Sequence, residues 1–197
     1  ACSEDAPAGP GSQMSYRDHI VRELVDTERK YVQDLENLYD LKKTLEVRGV
    51  IPGDAVHAIF LNINAILDFQ RRFLIRVETT NSQLKHVQAW GNPFVLHEES
   101  FGIYQPFIAN QRKAAHVAGL VFDKIRLAEH PVAVDFNTLD GFLLKPMQRL
   151  VKYPLLLKVG SAPGRGGGEG GEGAHPNPGL FFSGFDLESL INFSRTF

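Results

Sequence analysis

Ile20, Leu24, Tyr31, Leu35 and Leu38 recur at spacings of three, four and seven residues, which marks one apolar face of an α-helix. No glycine or proline interrupts the run, and it predicts a long first helix reaching Glu46. Ser15-Tyr16-Arg17-Asp18 stands in front of it and resembles a capping box, with Asp where Glu is usual. A stripe of this length needs partners of comparable length. After a connector at Val47–Pro52, the apolar residues Val56, Ile59, Ile63, Ile66, Leu67, Phe73, Leu74 and Val77 predict a second helix of similar length. Thr79–Pro93 is polar and reads as a loop. A third helical stretch is predicted over Phe94–Leu127, bent at Pro106, and Phe136, Leu139 and Phe142 lead into a last helix. No alternating strand pattern of useful length is present. The fold class is therefore all-α, an elongated bundle of long helices.

Three regions divide the 197 residues. Residues 1–14 are rich in Ala, Pro, Gly and Ser and read as a disordered linker. Residues 15–158 carry the helical periodicity. Residues 159–197 form a Gly-rich low-complexity tail. The chain is 43% hydrophobic, enough for one domain with a core. Its net charge of -2 argues against nucleic acid or an anionic membrane as the main partner. Cys2 is the single cysteine, so no disulfide framework or cysteine metal site arises, as suits a cytoplasmic protein. No signal peptide is visible, and no apolar run approaches the roughly 20 residues of a membrane span.

Conventional catalytic signatures are missing. The histidines at 19, 57, 86, 97, 116, 130 and 175 are scattered, and they read as solvated or locally hydrogen-bonded. Gly166-Gly167-Gly168-Glu169-Gly170-Gly171 matches a dinucleotide-binding pattern by letter. It follows no strand and opens no helix, so it reads as flexible low complexity. Glu28 is more informative, because it lies on or beside the apolar stripe of the first helix. A buried carboxylate without a partner is costly: either the stripe is wider than the core and Glu28 is a boundary residue pairing with an Arg or Lys, or it meets a cation or hydroxyl from another protein. Leu143–Lys158 reads as a helix containing two prolines, each costing roughly 3 kcal/mol in a helix interior. Pro146 fits a first turn, where that cost vanishes; Pro154 does not. Gln148 and Lys152 share a face of this helix, flanked by Lys145 and Arg149.

Glu23-Leu24-Val25-Asp26-Thr27-Glu28-Arg29-Lys30-Tyr31-Val32-Gln33-Asp34-Leu35 resembles the first conserved region of Dbl homology domains, the guanine-nucleotide exchange factors of Rho-family GTPases. Leu144-Lys145-Pro146-Met147-Gln148-Arg149-Leu150-Val151-Lys152-Tyr153-Pro154-Leu155-Leu156-Leu157 resembles their third, and Ile59–Glu78 the intervening helix. Phe107–Lys113 and Ala133–Leu139 resemble the fungal cell-polarity branch of the family. The resemblance covers residues 15–158. It implies exchange without covalent chemistry, so the chain is not an enzyme in the bond-making sense. The module would promote GDP release by stabilising the nucleotide-free GTPase. GDP, GTP and Mg²⁺ would belong to that partner, and the module itself would hold no cofactor or metal. By the same resemblance Glu28 contacts switch I, while Gln148, Arg149 and Lys152 belong to the surface facing switch II. Leu144 leans toward the polarity GTPase of the Rho family over Rac. Localisation would be cytoplasmic with recruitment to the cell cortex, and membrane contact would come only through domains not in this chain. A non-catalytic helical scaffold that binds a GTPase or another partner without exchange is the alternative.

The chain departs from the family's pattern at its end. The last helix of a Dbl homology domain continues well past the position of Lys158, whereas here Val159-Gly160-Ser161-Ala162-Pro163 opens the tail. The domain therefore reads as partial, its last helix incomplete. The tail reads as non-native to the family, with intron read-through as the hypothesis for its origin. Loss of that helix predicts marginal stability and impaired exchange.

Overall fold

The computed structural model describes residues 14–160, with side chains described for residues 14–157. Of the linker read over 1–14 and the tail read over 159–197, all but Met14, Val159 and Gly160 lies outside the described residues, and Val159 and Gly160 continue the last helix rather than opening a tail. The glycine tract lies outside the described residues.

Helix α1 runs from Tyr16 to Arg48, about 50 Å at the α-helical rise. Its ends follow local chemistry. The Ser15 hydroxyl accepts from the Asp18 amide at 3.2 Å, and the Asp18 carboxylate accepts from the Ser15 amide at 3.3 Å, a closed capping box. At the other end Gly49 turns left-handed at φ 58°. Its amide reaches Glu46 and the Val50 amide reaches Leu45, which satisfies carbonyls that the ending helix would leave bare. The predicted stripe is the buried one: Leu24, Tyr31, Leu35, Leu38, Leu41 and Leu45 all lie in the core.

The second predicted helix is two. Helix α2 covers Gly53–Phe60 and α3 covers Ile63–Ser82. Leu61 breaks the run at φ 39°, and the Asn62 side chain leaves the helix to donate to the Ile103 carbonyl at 2.8 Å. Val56, Ile59, Ile63 and Ile66 remain buried on either side, so apolar periodicity passes through the break unchanged. The loop starts at Gln83, later than predicted. It is organised by Gln88, whose amide donates to the Asn81 and Gln83 carbonyls. The Gln88 oxygen accepts from Trp90 Nε1 at 3.2 Å and from Arg17 at 3.3 Å. Trp90 is almost fully buried.

The third predicted helix is a series of short ones: α4 (Asn92–Leu96), a 3₁₀ turn (Glu99–Ile103), α5 (Tyr104–Ala109) and α6 (Gln111–Ile125). Pro106 falls in the first turn of α5, where a proline costs little, and it bends nothing. His97 Nδ1 lies 2.8 Å from the Pro93 carbonyl, in the local role expected for the histidines.

Helix α7 spans Phe136–Gly160 and holds both Pro146 and Pro154 in its interior. The first-turn reading of Pro146 is thus corrected, since the helix starts ten residues earlier. Both prolines are buried, and packing offsets the lost backbone bonds. Helix α1 packs along α3 and α7, and α6 packs on α2 and α7. Between them Phe69, Phe73, Phe94, Phe101, Tyr104 and Tyr153 meet in edge-on contacts such as Phe73–Tyr153, 5.7 Å between centroids. Among the described residues there is no strand, and no helix is long and apolar enough to cross a membrane.

Candidate functional site

Helices α1 and α7 meet along a shallow cleft of ≈ 190 Å³ lined by Thr27, Lys30, Tyr31, Asp34, Lys145, Gln148, Arg149 and Lys152. Each helix contributes by its period. On α1, Thr27, Lys30, Tyr31 and Asp34 recur at three, one and three residues; on α7, Lys145, Gln148, Arg149 and Lys152 do the same. Each set therefore keeps to one face of its helix.

Glu28 lies below the cleft floor, 0% exposed. Its Oε2 accepts from Arg149 Nε at 3.0 Å, from Arg149 Nη2 at 2.5 Å and from the Tyr153 hydroxyl at 2.8 Å. Its Oε1 accepts from the Gln70 amide. A carboxylate only accepts, and these four donors meet its capacity. Glu28 pairs with an arginine of its own chain, and it does so fully buried rather than at the core boundary. In the chain by itself Arg149 offsets the burial of Glu28.

The remaining bonds extend this pair into a network across four helices. Arg149 Nη1 donates to Thr27 Oγ1 at 2.8 Å. The Gln70 amide also donates to the Tyr153 hydroxyl at 2.7 Å, and its oxygen accepts from Tyr104 at 2.5 Å. The single Tyr104 O–H is thereby directed at Gln70, so Tyr31, 2.9 Å away, donates to Tyr104. Burial pushes the Tyr153, Tyr104 and Tyr31 hydroxyls well above the ordinary tyrosine pKa. For Tyr153 the charge of Glu28 adds to it. Burial acts to lower the pKa of Arg149, but Tyr153 and Glu28 overcome it and hold the guanidinium above its usual value. Arg149 stays charged and the tyrosines stay protonated, so the network binds and orients rather than transferring protons.

Two sequence-predicted residues, Gln148 and Lys152, are exposed on the cleft rim, and Leu144 is half-buried one turn earlier. Glu28 and Arg149 are brought together but closed off. Lys152 forms no ion pair among the described residues. The other cleft lysines are engaged: Asp34, 4% exposed, bridges Lys30 on α1 and Lys145 on α7, the latter at 3.1 Å. Lys145 also sits 4.9 Å from the Phe142 ring centre. Gln70, Asp34, Tyr104 and Tyr153 were not singled out from sequence. Gln70 carried a usable signal, since it falls between Leu67 and Phe73 on the apolar stripe of α3, as Glu28 does on α1. Among the described residues no three His, Cys, Asp or Glu side chains are grouped to hold a metal ion.

Comparison with known proteins agrees with this architecture. The RhoGEF domain family matches residues 20–159. The Rho guanine nucleotide exchange factor scd1 of Schizosaccharomyces pombe is 35% identical over 156 residues, covering 78% of this chain and 18% of the relative. Cell division control protein 24 of Saccharomyces cerevisiae is 36% identical over 141 residues, covering 71% and 16%. The chain thus spans less than a fifth of the length of either relative. The crystal structure of the DH domain of FARP2 superposes with a TM-score of 0.66 at 23% identity, covering 95% of this chain and 90% of that one. An activated truncation of Vav1 superposes with a TM-score of 0.71 at 20% identity, covering 90% and 44%. A family match over most of the periodic region, carried by a bundle of the same fold, establishes that the chain belongs to the RhoGEF, or Dbl homology, domain family.

Proposed function

We propose that this module accelerates GDP release from a Rho-family small GTPase. The observation that carries this reading is the α1–α7 cleft, with Gln148 and Lys152 exposed on its rim and Lys152 without a carboxylate partner among the described residues. An acidic or carbonyl-rich segment of the GTPase would pair with Lys152 and Gln148, and Leu144 would contribute apolar contact beside them. Glu28 and Arg149 would act from beneath, holding α7 against α1. The thermodynamics is reciprocal: a surface that binds the nucleotide-free GTPase more tightly weakens nucleotide binding by the same factor. GDP, GTP and Mg²⁺ are the partner's, and the module adds no cofactor and no covalent step. A preference for the polarity GTPase over Rac rests on Leu144 and on the likeness to the two yeast relatives.

Release of a fluorescent GDP analogue from a panel of Rho-family GTPases tests this. The wild-type chain should accelerate release from at least one member. Lys152→Ala and Gln148→Ala should each slow it by roughly tenfold, the worth of one charge-assisted hydrogen bond, with an unchanged thermal midpoint. Binding without acceleration would instead support a non-catalytic scaffold. Neither binding nor acceleration on any member would remove the exchange reading for this chain.

A further inference from the structure

Among the described residues neither Gln148 nor Lys152 makes a hydrogen bond or ion pair that fixes where it points. Their direction is set one residue later. Arg149 and Tyr153 stand one helical turn apart and both bond Glu28 Oε2, at 2.5–3.0 Å. Two anchors on one acceptor fix the rotation of α7 about its axis. Gln148 and Lys152 each precede an anchor, so each lies about 100° around the helix from it. That angle delivers both side chains to the cleft rim.

The acceptor itself must then be held. Glu28 Oε1 receives its donor from Gln70 on α3, which is 0% exposed. Because Glu28 can only accept, the Gln70 nitrogen must face it, and this leaves the Gln70 oxygen toward the Tyr104 hydroxyl. A single amide orientation satisfies Glu28, Tyr153 and Tyr104 together. Glutamate at position 70 would oppose two carboxylates, and an apolar side chain would leave Glu28 Oε1 and Tyr104 without these partners.

We propose that Gln70 is a positioning residue for exchange: it orients Glu28, which sets the rotation of α7 and so the placement of Gln148 and Lys152. This rests on the exchange reading above. Gln70 does not touch the cleft and contacts no partner.

The test uses Gln70→Met, close in size but without the amide, in the full chain. Exchange is measured on the responding GTPase in a cycle with the double variant Gln148→Ala/Lys152→Ala. Alone, Gln70→Met should slow exchange roughly tenfold or more, since a misplacement of about 1 Å can cost up to about a hundredfold. On the Gln148→Ala/Lys152→Ala background it should add little, because both residues it positions are already gone. A merely structural role would slow both backgrounds by the same factor. A second readout needs no activity. Spin labels at Gln33→Cys and Lys152→Cys, with Cys2→Ser, report the spacing of α1 and α7, and Gln70→Met should broaden or displace a narrow distance distribution. If Gln70→Met does not fold, Tyr104→Phe, which removes only the hydroxyl that Gln70 and Tyr31 share, is read in its place. Equal slowing on both backgrounds, or an unchanged distance distribution, overturns the proposal. A wild-type chain inactive on every GTPase overturns the exchange reading, and the distances then still decide whether Gln70 sets the rotation of α7.

Discussion

Glu28 keeps its charge away from water because four hydrogen-bond donors converge on it, three of them from α7. Removing one partner of such a pair strands the other, at about 3–5 kcal/mol. Glu28→Ala and Arg149→Ala should therefore each lower unfolding free energy by about that amount, measured by urea denaturation. The double variant Glu28→Leu with Arg149→Met should cost less than the sum of the two single changes, since neither charge is left alone. An exchange defect in Glu28→Ala would mix lost fold with lost contact, which makes the exposed Lys152 the cleaner probe of partner binding. At this scale the sequence was half legible. The apolar spacing placed Glu28 on or beside the stripe and called for a partner, a cation of this chain or a group from another protein. It could not pick Arg149, because 121 residues separate the two and only the packing of α7 on α1 joins them.

Elements were legible where their chemistry is local. The capping box and Gly49 define both ends of α1 within a few residues of chain, and the prediction fell two residues short of Arg48. Gly49 sits at φ 58° with no neighbour within 4 Å of an added side-chain carbon. Gly49→Ala would then meet backbone strain without a clash, and it should cost about 1–2 kcal/mol, read from the shift in thermal midpoint. The α2–α3 break was invisible because its causes are tertiary: the reach of Asn62 to Ile103 and the left-handed Leu61. Helix α7 was misread for the opposite reason. Proline is a strong local breaker, and a reading built on it moved Pro146 to a helix start. In the fold, buried contacts around Pro146 and Pro154 outweigh the missing amides. The short helices between α3 and α6 follow the same lesson, since their breaks carry no Gly–Pro signal strong enough to divide the apolar run.

For the molecule as a whole, the buried tyrosines set an alkaline limit on stability. Tyr31, Tyr104 and Tyr153 are held protonated in the fold, while in the unfolded chain they ionise near pH 10. Above that pH the unfolded state has lost protons that the native state still holds, so stability falls as pH rises. Each such group contributes about 1.4 kcal/mol per pH unit. The thermal midpoint should thus change little through these groups below pH 10 and drop steeply above it, and Tyr104→Phe should make the drop shallower. A pH series of thermal melts followed by circular dichroism checks this. The all-α class and the α1–α7 pairing were legible as periodicity and resemblance. The network joining α1, α3, α5 and α7 was not, because it is built from single residues on four different stripes. Trp90, the chain's single tryptophan, is bonded to Gln88, which also ties Arg17 near the start of α1. Its intrinsic emission consequently reports on the seam between the beginning of α1 and the loop after α3. A binding titration at the cleft will pass almost unseen in that signal, whereas detachment of the first turns of α1 will register before the remainder of the bundle melts.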